Sequence, residues 1–215
     1  MLACLSPPIS QGVIDVFANV GQYSRVIQHY ATDACGPAIL DLLGDSRNLV
    51  HHRLFSLPNG NDDLKLVVDS CGYATEDIQL TREIYLLTRL SVILYAVHVS
   101  FPTPRSTRLR EQLLTALSPM FHKLVGRAPG PLILWCLVIV VLSSGDTAPS
   151  QLLGYVVRLC VKLKVDSKEK LVRLLCSFAW VECAVPDTAP FWILAGNIFV
   201  QAARATLALR KIDDD

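Results

Sequence analysis

The sequence predicts an all-α fold, an irregular multi-helix bundle of about eight antiparallel helices. Three observations predict it. Apolar residues recur at helical spacing over most of the chain. Strand-like alternation is nearly absent, and short polar connectors separate the periodic stretches. The chain is also oily: hydrophobic residues make up 52% of its 215 residues and charged residues only 18%. Such a balance implies a thick helical core, a surface covered by a missing partner or segment, or a membrane.

The stripes appear in order. Val13, Val16, Phe17, Val20, Ile27 and Tyr30 form the first, and Ile84, Leu87, Leu90, Leu94 and Val97 the second. Leu109, Leu113, Leu117, Met120 and Leu124 form the third. Leu152, Leu153, Val156, Val157, Cys160 and Leu163 are the fourth, and Leu171, Leu174, Leu175, Phe178 and Val181 the fifth. Each puts apolar side chains on one helical face with polar residues opposite.

Punctuation places the ends. Asp166-Ser-Lys-Glu169 reads as a capping box with Asp166 as the cap. Pro149 suits a first helical turn. Pro102 and Pro104 should end the long helix that begins near Thr75. Ser143 to Thr147 reads as a short connector. Gly44 follows the apolar stretch Ile39–Leu43 and reads as a helix end. Residues 56–63 are rich in turn formers and make the main internal break. Leu64 to Val68 would suit a short strand, but no second strand offers to pair with it. The expected organisation is a less regular N-terminal helical segment (1–74) packed on the bundle, a helical regulatory bundle (75–212) and a disordered tail (213–215).

The composition bears on function classes. Twenty basic and nineteen acidic residues leave a formal charge of +1. The basic residues are scattered, so no direct nucleic-acid binding is expected. The cysteines at 4, 35, 71, 136, 160, 176 and 183 contain no C-x-x-C pair. That is a reduced, intracellular profile with no expected zinc site. No secretory signal is expected at the N-terminus. Residues 128–145 carry no charge, but their apolar run from Leu132 to Leu142 is about half of a ~20-residue membrane span. It and the uncharged stretches 90–104 and 188–203 read as buried core helices, so a membrane is not the expected partner.

The search for chemistry yields little. Gly44-Asp-Ser46 resembles an esterase nucleophile segment, with His51 and His52 nearby, but the downstream Asp-x-x-His of that chemistry is missing. Adjacent histidines point to different faces and make poor joint metal ligands. His29, His98 and His122 stand alone, and neither phosphate-loop pattern occurs. No enzyme activity and no cofactor are expected. Leu171-Val-Arg-Leu-Leu175 matches a coregulator-docking leucine box, but the same residues suit the helix's own core stripe. Trp135, Phe178, Trp180 and Trp192 sit at helical spacing as structural or interaction anchors.

Several anchors fall in a familiar order. A long helix from Glu83 to Tyr95 runs into a proline-containing loop, and Leu109-Arg-Glu-Gln-Leu-Leu follows. Then come Pro131-Leu-Ile-Leu-Trp135 with the small-residue turn Ser143-Ser-Gly145, and a helix ending Val161-Lys-Leu-Lys-Val165. Leu171-Val-Arg-Leu-Leu-Cys-Ser-Phe-Ala-Trp180 and Trp192 complete the set. In this order residues 84–195 resemble the C-terminal part of the fungal-specific transcription factor domain. The resemblance implies an all-helical regulatory domain in a nuclear protein, with protein partners or self-association. Such factors usually carry six clustered cysteines that hold zinc. Cys4 and Cys35 have no close neighbours, and the chain starts well into the usual domain, so no DNA-binding module is expected in it. A small multi-pass membrane protein and a helical small-molecule sensor or hydrolase are the alternative readings.

Overall fold

A computed structural model describes residues 11–30, 36–58, 75–100, 107–181, 192–193 and 195–200. Among these residues every regular element is a helix, and the architecture is the expected multi-helix bundle. In chain order α1 is Gln11–Tyr30, α2 Pro37–Phe55 and α3 Thr75–Leu94, which continues into a π-helical turn, Tyr95–Ser100. Then come α4 (Thr107–Leu124), α5 (Gly130–Ser144), a 3-10 turn (Gly145–Thr147), α6 (Ser150–Leu163) and α7 (Lys168–Cys176). Residues 192–193 and 195–200 are also helical. The expected strand at 64–68 and the tail at 213–215 lie outside the described residues.

α5 is the axis. Its residues Leu132 to Val140 are all at 0% exposure. A helix apolar on every side has no face for water and must be enclosed. α3, α4 and α6 enclose it, and α7 and the π turn also touch it. Pro131 starts it, where a missing N–H costs nothing. Consecutive helices α3 to α6 pack on one another. The connector from α4 to α5 is short, and Gly126 makes its turn at φ +93, a conformation that L side chains rarely adopt.

The stripes face inward. α1 buries Val13, Val16, Phe17, Val20, Tyr23 and Ser24, and α4 buries Leu113, Leu117, Phe121 and Leu124. α6 buries Leu152, Tyr155, Val156, Leu159 and Cys160. Tyr155 and Leu159 widen the stripe expected there. Leu171 and Leu175 of α7 are also buried, which makes the leucine box a core stripe.

Two expected helix ends are corrected. The cap of α7 is Ser167 and not Asp166. Ser167 has the extended backbone a cap needs, at φ −146 and ψ 162, and its Oγ accepts the Lys170 N–H at 3.4 Å. Asp166 instead pairs with the Lys170 ammonium at 2.7 Å. Gly44 does not end α2, which runs on to Phe55. Beyond Gly44 the helix still has Val50 and Leu54 to bury, and that tertiary gain outweighs the glycine's cost of about 1 kcal/mol. α6 ends with Lys164 in the left-handed region at φ 55, where Val165 N–H reaches back to the Cys160 carbonyl at 2.8 Å.

α1 and α2 are fastened to the bundle differently. Gly21 of α1 lies so near the chain after α7 that a Cβ there would be 3.0 Å from the Phe178 carbonyl. Ser24 Oγ donates to the Val20 carbonyl at 2.8 Å and meets Tyr95 Oη at 2.9 Å. α2 is held at its edges. Tyr23 Oη donates to the Leu43 carbonyl at 3.1 Å. Past its C-terminus, Arg89 Nε donates to the Leu57 carbonyl at 3.2 Å and Tyr85 Oη to the Pro58 carbonyl at 2.7 Å.

Candidate functional site

The four anchor residues fall into two aromatic pairs. Trp135 lies mid-way along α5 at 0% exposure. Its indole N–H donates to the Ala179 carbonyl at 2.8 Å, which fixes the segment after α7 against the axis. Phe178 lies 6.2 Å from Trp135 between ring centroids. Phe17 of α1 meets Trp135 edge-on at 4.9 Å, and Tyr95 of the π turn lies 5.8 Å away. Four elements therefore converge on one indole. Aromatic pairs in such tilted and edge-on geometries add stability beyond the area they bury.

The second pair is Trp180 and Trp192, 6.4 Å apart at an interplanar angle of 80°. Both are buried. The Lys168 ammonium lies 4.6 Å from the centre of the Trp192 ring, a cation–π contact that ties α7 to the last described helix. The indole N–H of Trp180 has no hydrogen-bond partner among the described residues.

Polar side chains are also buried in the bundle. Ser24, Thr88, Ser91 and Ser143 are all buried. Burial pushes the Cys136 thiol up to about 12, with the Ser91 hydroxyl beside it pulling the other way. Burial also pushes Cys160 up to about 12. A thiol so shifted is no nucleophile at neutral pH and acts as a small core hydrophobe.

Sequence reasoning missed a second cluster at the α4–α6 contact. His122 Nδ1 lies 2.7 Å from Tyr155 Oη and 3.2 Å from Gln151 Nε2. The Arg158 guanidinium stacks 4.7 Å above the Tyr155 ring. The sequence signal was slight: His122 occupies the last turn of α4, and Tyr155 is the one aromatic on the buried face of α6. This arrangement clasps two helices. It sets one imidazole against one phenol, and among the described residues no carboxylate is hydrogen-bonded to either.

The histidines near Ser46 sit in a different setting, where the His51 ring meets Phe55 edge-on with centroids 6.2 Å apart. Ser46 sits mid-way along α2, in regular helix, where no sharp turn lifts its hydroxyl. Burial holds the His51 imidazole below its ordinary range, and the nearby Arg47 cation adds to that. Among the described residues no group of three His, Cys, Asp or Glu could hold a metal ion. A groove of about 320 Å³ runs between α3 and α4, lined by Arg82, Glu83, Leu86, Met120 and Lys123 among others. Its walls mix charge and hydrocarbon, and Gln79 Nε2 already donates to Glu83 Oε1 at 3.1 Å. Among the described residues no helix is long and apolar enough to cross a membrane.

No family model, no curated protein and no solved structure matches this chain.

Proposed function

We propose that this chain is a regulatory, protein-interaction domain of the fungal transcription-factor type, acting in the nucleus and carrying no zinc-cluster motif. One observation carries the reading. The anchors that make the sequence resemble that family, Trp135 of the apolar segment and Phe178 of the L-x-x-F-x-W segment, meet in one core. The Trp135 indole also holds the backbone next to Trp180. Anchors that are far apart in the chain and adjacent in space are what a shared bundle architecture would need.

The test tethers the full chain to a reporter promoter through an unrelated DNA-binding module in fungal cells. Reporter output should change several-fold relative to the module alone, and an untethered fluorescent fusion should concentrate in the nucleus. An unchanged reporter together with exclusion from the nucleus would overturn the reading. Extraction only into detergent would favour the membrane alternative instead.

A further inference from the structure

We propose that the outer face of α2 is a homodimer surface, on which a second copy of this chain packs its own α2 in the antiparallel direction. The inference goes beyond the regulatory reading and rests on α2 alone.

α2 turns only Val50 and Leu54 fully into the core. Leu42 and Leu49, two turns apart on a neighbouring stripe, are 66% and 53% exposed. Asp41, Asp45 and Arg53 flank them and are exposed too. None of these three charges forms an ion pair among the described residues. Leu40 and Phe55, also exposed, lie on the other flank of the helix and take no part.

The spacing makes this stripe complementary to itself. On a helix, residues at i, i+3, i+4 and i+7 form a hole that accepts one knob from a facing helix. Ala38, Asp41, Leu42 and Asp45 form one such hole, and Leu42, Asp45, Ser46 and Leu49 form the next. With two copies antiparallel, Leu49 of each fills the second hole of the other. Arg53 then enters the first hole, between two carboxylates. The two-fold axis repeats both contacts. Ala38 and Ser46 are small enough for the helices to approach closely. Parallel pairing would set like charges side by side, so charge selects the antiparallel direction.

The contact is small. A single helix pair lies below the ~1,200 Å² of a standard interface, so the dimer is weak, with a dissociation constant of roughly micromolar order or above.

Sedimentation of the full chain over a concentration series tests this. The wild-type chain should shift from monomer toward dimer as concentration rises. Leu49→Glu should stay monomeric throughout with an unchanged far-UV CD spectrum. The decisive pair is Arg53→Asp in one chain and Asp41→Arg with Asp45→Arg in another. Each should be monomeric alone, because like charges then meet across the axis. Mixed in equal amounts they should form a heterodimer. A wild-type chain that stays monomeric at its highest soluble concentration overturns the proposal. So do charge variants that still self-associate, and so does a mixture that fails to pair. The tethered reporter is a separate readout, and neither result prejudges the other.

Discussion

α1 and α2 are nearly equal in length, at 20 and 19 residues, and each carries a glycine near its middle. Their fates differ. α1 lays Phe17 against Trp135 and brings Gly21 up to the Phe178 carbonyl. α2 touches the core through Val50 and Leu54 and leaves Leu42 and Leu49 in water. The difference lies in how the apolar residues are phased. In α1 they fall on one stripe with an aromatic at its centre. In α2 they are spread around the helix, so no single face can bury them all. Apolar content makes a helix, but phasing decides whether it belongs to the core.

The largest test of this contrast is at the shared core. Trp135→Ala should cost about 3–5 kcal/mol in urea unfolding, since it leaves a cavity under α1 and strips the Ala179 carbonyl of its donor. Trp180→Ala should cost a similar amount, about 3–5 kcal/mol, and a loss below about 1 kcal/mol would remove it from the core anchors. Leu42→Ala on α2 should change stability by less than about 0.5 kcal/mol under dilute, monomeric conditions. If Leu42→Ala were as costly as Trp135→Ala, the division between the two helices would collapse.

The glycines give opposite signs. Gly21→Ala should destabilise by roughly 1–3 kcal/mol, because the added methyl would sit 3.0 Å from the Phe178 carbonyl, in a segment that the Trp135 indole holds at the neighbouring Ala179. A Cβ at Gly44 meets nothing within 4 Å. Gly44→Ala should therefore stabilise by about 0.4–1 kcal/mol, mainly by restricting the unfolded chain. A shared sign in thermal melts of the two variants would break the comparison. Ser24→Ala should cost about 1 kcal/mol through its lost contact with Tyr95, measured in the same way.

The smallest expected effect is one of pH. Burial first, and Arg47 second, hold His51 of α2 below the ordinary histidine value of 6.5. The unfolded chain then binds more protons than the folded one as pH falls through that value, so stability should decline on acidification. His51→Gln should flatten this slope in urea titrations taken on either side of pH 6.5. An unchanged slope in that variant would assign the decline to other groups, such as His98, which burial depresses in the same direction.

Much of the architecture was legible because helical periodicity is a local signal. The stripes through Val13, Leu113 and Leu152 needed only spacing to be read, and the enclosure of α5 followed from its lack of any polar face. Other features depended on neighbours that a single sequence does not place. Gly44 looked like a stop because the later gain from Leu54 lies ten residues, nearly three turns, beyond it. Asp166 and Ser167 are both good caps, and backbone direction chose between them. The anchors were visible as aromatics. Their pairing, Trp135 with Phe178 and Trp180 with Trp192, is a property of three dimensions. The His122–Tyr155 clasp joins residues 33 apart, each unremarkable on its own helix.

The total enclosure of α5 has a consequence for how the chain is made. Synthesis delivers α5 before α6 and α7, two of the elements that cover it. During that interval a fifteen-residue segment without a charge stands partly uncovered beside α3 and α4. Such a segment is attractive to chaperones and to other nascent chains. The feature that steadies the finished bundle is thus a hazard while the chain is still incomplete.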